Sequence, residues 1–393
     1  MHLDIDRLRR DTPGCQNVIH LHHSGASLMP RPVHEAVLHH LDRELMMGGY
    51  EAAQEAAPLI ESAYANIATL VNADPNEIAL VESATVAWNR CFLALTEPFQ
   101  TGDRVITTPT EYASNYIAMM QLTERQGVII DVVANDDSGS ADVAAIENAI
   151  TARTRLICIT HVPTSGAVIN PAAAIGEVAK RHGVRYLLDA CQSIGQLPID
   201  VKAIGCHALS ATGRKFLRGP RGSGFLFVNR DLANQVQPVD LDLHGAEWTT
   251  DQGYTTYPDA QRFEYFEGHI AGRIGLGVAT EYANGLGLDA IRARITLLAD
   301  YLRTGIDACP QYELLDTGAE RSAIVTFSHR SLSPPVVARR MRERGINIGT
   351  STMTSTRLDL SQRAPDGLVR APVHYFNTHR ELDRCLECLA SLT

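Results

Sequence analysis

No apolar run in the sequence reaches the roughly 20 residues that a membrane-spanning helix needs. The opening stretch, MHLDIDRLRRDTPG, has no apolar core of signal-peptide length either. A soluble, cytoplasmic protein without a membrane partner is the expectation. An excess of positive charge is also missing: 35 lysines and arginines face 45 aspartates and glutamates, for a net charge of −10 and a pI near 5.8. That balance argues against a nucleic-acid partner, which would demand a basic surface to displace counterions from phosphates. A disulfide framework is lacking too. The eight cysteines are scattered through apolar segments, as suits reduced, buried thiols. Cys385 and Cys388 spell CxxC, but they lie inside THRELDRCLECLASL, an amphipathic helical pattern with no second ligand pair, so neither metal nor redox chemistry is expected there. No internal repeat or low-complexity segment stands out.

What is present is an ordinary globular composition, 45% apolar and 20% charged, in a chain of 393 residues, long enough for one large and one smaller domain. Short apolar runs read as strands: EIALVES, DRVITTP, VIIDVVA, RLICITHV, RYLLDAC, HALSAT and GFLFVN. Helical patterns such as ADVAAIENAI and NPAAAIGEVAKRHG lie between several of them, the second stopping at Gly183. This alternation predicts an α/β fold with a mostly parallel sheet covered by helices on both faces. From about Gly268 the texture changes to a long helical region, then strand, helix, strand and a final helix. The expected division is an N-terminal arm over 1–29, a large domain over 30–267 and a small C-terminal domain over 268–393.

In such sheets sites gather at the carboxyl ends of the strands. RYLLDAC delivers Asp189 there, with Gln192 just beyond, and a carboxylate after an apolar run is costly to bury without a partner. A helix cap or a structural ion pair would satisfy an isolated aspartate. HALSAT, however, leads straight into TGRKFLRGPRGSG, which places Lys215 in a tight turn facing the same crevice. An acid, a lysine in a turn and an apolar crevice are the protein parts of a pyridoxal phosphate site: the lysine holds the cofactor as a Schiff base, and the acid keeps the ring nitrogen protonated.

DACQ, TGRK and GPRGSG, in that order, resemble the signature of the class V aminotransferases of fold type I, the group that includes cysteine desulfurases, cysteine C–S lyases and isopenicillin N epimerase. The resemblance runs over nearly the whole chain. It implies pyridoxal 5′-phosphate as cofactor, an amino-acid substrate, no metal, and a homodimer with the active site at the interface. Lys215 is then the catalytic lysine, Asp189 the partner of the ring nitrogen and Gln192 the partner of the phenolic oxygen. VESATVAWN resembles the phosphate turn, with Ala84, Thr85 and Val86 at a helix N-terminus suited to an anion. Thr212 is a further phosphate ligand by the same resemblance. TEYASN puts Tyr112 at the ring-stacking position, and THVPTSGAVINP puts Thr164 near the ring or the substrate. LVRAPVHYFNTHRELD places Arg370 where relatives bind the substrate α-carboxylate, a task for a planar guanidinium. RFEYFEGHIAGRIGLG makes His269 a candidate for the partner subunit's phosphate. HLHHSGASLMP, with His20, His22 and His23 close together, lines the substrate pocket through His23 and Ser24. Arg214, where the family commonly has histidine, is expected to touch cofactor phosphate or substrate.

One more absence bears on the reaction. Relatives that desulfurate cysteine use a cysteine nucleophile shortly before the carboxylate-binding arginine. The corresponding stretch here, GINIGTSTMTSTRLDLSQRAPDG, has none, and Ser351, Thr352 and Thr354 cannot replace a thiolate. The expectation is a C–S lyase acting on an S-substituted cysteine or its sulfoxide by β-elimination, similar to those of ergothioneine or lincosamide metabolism. The alternatives are decarboxylation coupled to oxidative deamination of the same conjugate, transamination or epimerisation, and a non-catalytic cofactor-binding paralogue.

Overall fold

The computed structural model describes residues 3–392. In chain order the strands are β1 (Ile19–Leu21), β2 (Ile78–Val81), β3 (Arg104–Thr107), β4 (Ile129–Val132), β5 (Thr154–Thr160), β6 (Arg185–Asp189), β7 (Ala208–Thr212), β8 (Gly224–Val228), β9 (Ala246–Thr250), β10 (Gly253–Thr256), β11 (Tyr312–Leu314), β12 (Thr326–His329), β13 (Ile346–Ser351) and β14 (Leu368–Arg370). All seven apolar runs quoted above form strands, and all seven join one sheet in the order β2-β8-β7-β6-β5-β3-β4. The pairs from β4 through β7 are parallel. Only β8, entering by the tight turn after β7, runs antiparallel to its neighbours β7 and β2.

Alternation along β5 explains the two covered faces. Leu156 and Cys158 point into one core with Trp88, Phe92, Met119 and Leu122 from the helices Ala84–Thr96 and Ala113–Gln126. Ile157 and Ile159 point into the other, with Ile175 and Val178 from the helix Ala172–His182. That helix ends where expected: Gly183, at φ +64°, donates its N–H to the carbonyls of Ala179 and Lys180. The fold is thus α/β with a mostly parallel central sheet.

A second sheet has the order β1-β13-β14-β12-β11. Its edge strand β1 comes from the N-terminal segment and pairs parallel to β13, with Ile19 opposite Ile346 and Leu21 opposite Ile348. The helix Ile270–Leu286, the first element after residue 268, lies along the helices Arg31–Met47 and Ala57–Val71. Small residues allow that approach: a Cβ at Gly277 would sit 2.7 Å from the Ala63 Cβ. Cys385 and Cys388 fall on the buried face of the final helix, His379–Ala390. Among the described residues no helix is long and apolar enough to cross a membrane.

Candidate active site

Three parallel strands end side by side at Thr160, Asp189 and Thr212, and the turn that follows β7 closes over them. Gly213 N–H donates to the Ser223 carbonyl and Gly219 N–H to the Gly213 carbonyl, so residues 213–223 fold back on themselves. Lys215 is thereby held inward, only 7% exposed, with Nζ 3.2 Å from the Cys191 sulfur. Asp189 is buried next to it. One carboxylate oxygen accepts from Cys191 N–H (2.8 Å) and the other from Asn115 Nδ2 (2.8 Å). Burial raises the proton affinity of Asp189, while these two donors and the Lys215 charge lower it. The aspartate and the lysine therefore share one crevice, as their places at neighbouring strand ends predict.

Gln192, three residues past β6, donates to the Ser24 carbonyl (3.1 Å) and to Thr164 Oγ1 (3.1 Å). Arg370, at the end of β14, donates from Nη1 to Thr164 Oγ1 (2.6 Å) and to the Thr164 carbonyl (2.8 Å). Among the described residues its Nε has no partner and no ion pair engages it. Burial lowers the pKa of this guanidinium to about 10, which still leaves it charged at neutral pH. Ser24 Oγ and Gln192 Oε1 are likewise buried and unpartnered. The pocket is therefore lined by polar groups with free hydrogen-bonding capacity, and its cations outnumber its carboxylates. The phenol of Tyr112 lies close enough to Arg370 to influence its charge. Ala113 N–H donates to the Ser355 carbonyl and Ser351 Oγ to the Thr164 carbonyl, so the cysteine-free stretch that begins at the end of β13 packs against the same pocket.

At the turn expected to hold phosphate the structure separates three residues expected to act alike. Ser83 caps the helix Ala84–Thr96, and its hydroxyl takes the Val86 N–H at 3.2 Å. Ala84 is buried at the helix start and Thr85 is exposed. Thr212 Oγ1 donates to the Ser223 carbonyl at 3.3 Å. His269 lines a narrow cleft with Glu82, Gly222, Ser223, Gly224 and Arg273, beside the turn that carries Lys215. Arg214 donates from Nη1 to the Gly25 carbonyl of the N-terminal segment.

The histidines of that segment also separate. His23 is fully buried, with Nδ1 bonded to Ser27 Oγ (2.8 Å) and Nε2 to Asn377 Oδ1 (3.2 Å), and its ring packs edge-on against His374 and Phe376. His22 is the one left without a hydrogen-bonding partner, within the field of Arg370 and Arg214; burial first, then Arg370, lowers its pKa to about 4. It fills space between Gly25 and Gly349, where a Cβ would come within 2.6 and 2.4 Å of its Nε2.

Other site residues escaped the sequence reading. Arg218, at φ +66° and fully buried, bonds the Leu28 carbonyl (2.9 Å), the Tyr375 hydroxyl (2.7 Å) and Thr12 Oγ1 (2.6 Å), with its guanidinium 4.3 Å from the centre of the Phe376 ring. Glu111 and Asn115 stand behind Asp189. The signal for the pair was a glutamate and an asparagine four apart at a strand-to-helix junction, on either side of Tyr112. Among the described residues no group of three or more histidines, cysteines or carboxylates could hold a metal ion.

Comparison with known proteins places this arrangement. The family model for aminotransferase class V matches residues 19–385. A probable cysteine desulfurase of Methanothermobacter thermautotrophicus is 28% identical over 391 residues, covering 98% of this chain and 97% of its own. A cysteine desulfurase of Dickeya dadantii is 28% identical over 401 residues, covering 98% and 95%. The apo structure of a cysteine desulfurase from Thermococcus onnurineus superposes with a TM-score of 0.91 at 25% identity, covering 99% of this chain and 98% of that one. The fold is also that of the cystine C–S lyase C-DES, in complex with its product cysteine persulfide, with a TM-score of 0.86 at 22% identity over 97% of this chain and 99% of that one. With a lysine, an aspartate and an unpaired arginine converging in a chain matched almost end to end, this protein belongs to the class V aminotransferases, enzymes that depend on pyridoxal phosphate.

Proposed function

We propose that this enzyme is a C–S lyase that takes an S-substituted cysteine, a conjugate or its sulfoxide from specialised sulfur metabolism, and cleaves its Cβ–S bond by β-elimination. With one water consumed, a thioether conjugate gives a thiol, pyruvate and ammonia. The observation that carries this reading is the stretch from the end of β13, whose Ser351 reaches the Thr164 carbonyl and which continues through Thr352 and Thr354 without a thiol to accept sulfur.

The residues fit pyridoxal phosphate. Asp189 is a buried carboxylate with no ion pair, and Gln192 Oε1 and Ser24 Oγ are buried without partners. Lys215 would carry the cofactor and Asp189 would hold a proton on its ring nitrogen. Gln192 and Thr164 would face its phenolic oxygen, and Tyr112 would stack on it. Ala84, Thr85, Val86, Thr212, Arg214 and His269 are the candidates for its phosphate; of these, Val86 N–H is committed to Ser83 and the Arg214 guanidinium to Gly25. When bound, the group supplies an electron sink for negative charge at the substrate Cα.

Arg370 would hold the α-carboxylate, with Thr164 fixing its plane. The Lys215 amine would then remove the Cα proton, and the sulfur substituent would leave from Cβ. Ser24 and His22 would face the substrate, and His23 would hold their segment against the C-terminal sheet.

Pyruvate and thiol release from an S-alkyl cysteine tests the reading. A requirement for a 2-oxo acid, or release of aldehyde and carbon dioxide, would overturn it. Free cysteine as substrate is the second reading, supported by the names of the curated relatives; sulfide and pyruvate from cysteine, with S-alkyl cysteines inert, would select it. Failure of the purified protein to bind pyridoxal phosphate would sink both. Exposed Leu45, Met46 and Tyr50 at the end of the helix Arg31–Met47 and just beyond support a homodimer in a cytoplasmic enzyme. The division into 1–29, 30–267 and 268–393 is retained as our proposal, with the first segment completing the sheet of the last.

A further inference from the structure

Behind Asp189 the structure holds a second carboxylate that the proposed chemistry does not use. Glu111 is 3% exposed and has no ion pair among the described residues. Four donors converge on it: Thr107 Oγ1 at 3.0 Å, Thr160 Oγ1 at 2.6 Å, Tyr112 N–H at 2.9 Å and Asn115 Nδ2 at 2.9 Å. The same Asn115 nitrogen donates to Asp189 at 2.8 Å, so one primary amide, with its two hydrogens, joins the two buried carboxylates. Tyr112 follows Glu111 directly, which ties the expected ring-stacking residue to the same carboxylate.

We propose that Glu111 is a positioning residue: through the Asn115 amide it orients Asp189 and sets how strongly Asp189 holds the ring-nitrogen proton of the cofactor. The inference rests on the cofactor assignment made above. In a dry interior a negative charge one amide away from Asp189 favours a proton on any base that Asp189 faces. Neutralising Glu111 removes that help. The threonine hydroxyls can rotate to accept instead of donate, so the network admits both charge states of Glu111 without moving the backbone. The titratable groups facing Glu111 are Asp189 and Tyr186 of β6 and Cys158 of β5, with Lys215 and Cys191 beyond Asp189. Burial, opposed by the Thr160 and Asn115 hydrogen bonds, leaves the Glu111 pKa at about 7. The charge behind Asp189 therefore changes near neutral pH.

The test loads the full-length protein with pyridoxal phosphate carrying nitrogen-15 in its ring and follows the ring-nitrogen resonance across neutral pH. The wild-type resonance is expected to move with an inflection near pH 7. Glu111→Gln keeps the shape, removes the charge, abolishes the inflection and displaces the resonance toward the unprotonated position, corresponding to about a tenfold loss of proton affinity. Asn115→Ala cuts the link with Glu111 intact, shrinks the inflection, and carries the test alone should Glu111→Gln fail to fold. The double variant goes no further than the larger single one, because both act on one path. A loaded Glu111→Gln or Asn115→Ala protein with the wild-type pH course, or additive effects in the double variant, would overturn the inference while leaving the cofactor assignment standing. A wild-type protein that takes up no labelled cofactor would overturn that assignment, and the inference with it.

Discussion

Arg370 and Thr164 meet twice, once through the threonine hydroxyl at 2.6 Å and once through its carbonyl at 2.8 Å, and both bonds leave from the same guanidinium nitrogen. The other nitrogens stay available for an anion. Thr164 thus fixes the plane of the fork without neutralising it.

Replacing Arg370 by alanine should therefore raise KM for the amino acid far more than it lowers kcat. Loss of a charge-assisted hydrogen bond, about 1.5–3 kcal/mol, corresponds to roughly 10- to 150-fold in kcat/KM. Arg370→Lys should recover little, because an ammonium cannot reproduce the planar fork. Equal falls in kcat and kcat/KM would move Arg370 away from carboxylate binding.

Cys191 offers a second check, since its sulfur lies 3.2 Å from the Lys215 amine. Burial raises the thiol pKa, more than the Lys215 charge lowers it, so the thiol stays protonated near neutral pH. Iodoacetamide should label it slowly there. Cys191→Ala removes one hydrogen bond from the lysine to a weakly accepting sulfur, worth about 1 kcal/mol, and should cost roughly fivefold in kcat with KM held. Wild-type kinetics in that variant would make the contact incidental.

The buried histidines predict an acid limb in stability. Burial lowers the pKa of His20, His22, His23, His161 and His374, with His22 and His161 at about 4. Between the ordinary value of 6.5 and these lowered values the unfolded chain binds more protons, so stability falls as pH drops through that window. Glu111, raised from 4.5 to about 7, works in the opposite sense: the folded state holds its proton longer, and stability from this group is lost as pH rises toward 7. The six lowered histidines, His207 included, outweigh it. Urea midpoints should fall from pH 7 to pH ~4.5, and His161→Asn should reduce that slope by about one proton. A flat profile would contradict the burial of these rings.

Arg218→Met tests the tie between the ends of the chain. The side-chain volume is kept, but the bonds to Thr12, Leu28 and Tyr375 are lost. A loss of about 2–4 kcal/mol in urea unfolding is expected, two of the stranded partners being neutral hydroxyls. Earlier proteolysis near residues 12–28 should accompany it. Unchanged protease sensitivity would show that other contacts hold the segment.

The seven strands of the large sheet were legible because each is a short apolar run bounded by polar turns, and the Asp189–Lys215 pairing followed from consecutive strand ends. β1 was not: three residues carry no usable period, and their partner lies more than 300 positions away in the chain. The burial of His23 was not legible because strand alternation stops with β1 at Leu21, and its partners Ser27 and Asn377 are fixed by the turn and by the distant C-terminal segment. Asn115 was passed over because its link to Asp189 spans 74 residues and crosses from a helix to a strand end. Arg218 was hidden by its motif, where a basic residue in a glycine-rich turn reads as solvated.

The parallel pairing of β1 with β13 sets an order of events during synthesis. Lys215, Asp189 and the phosphate turn emerge early and can form their sheet while the rest of the chain is still being made. The strand that carries His20 has nothing to pair with until residues 346–348 have appeared, and Arg370 follows later still. A ribosome-bound chain halted near residue 340 would thus present the lysine in an open trough, without the arginine and without its sheet-anchored N-terminal wall. With the roles proposed above, capture of an amino acid, as distinct from capture of the cofactor, would belong to the finished polypeptide alone.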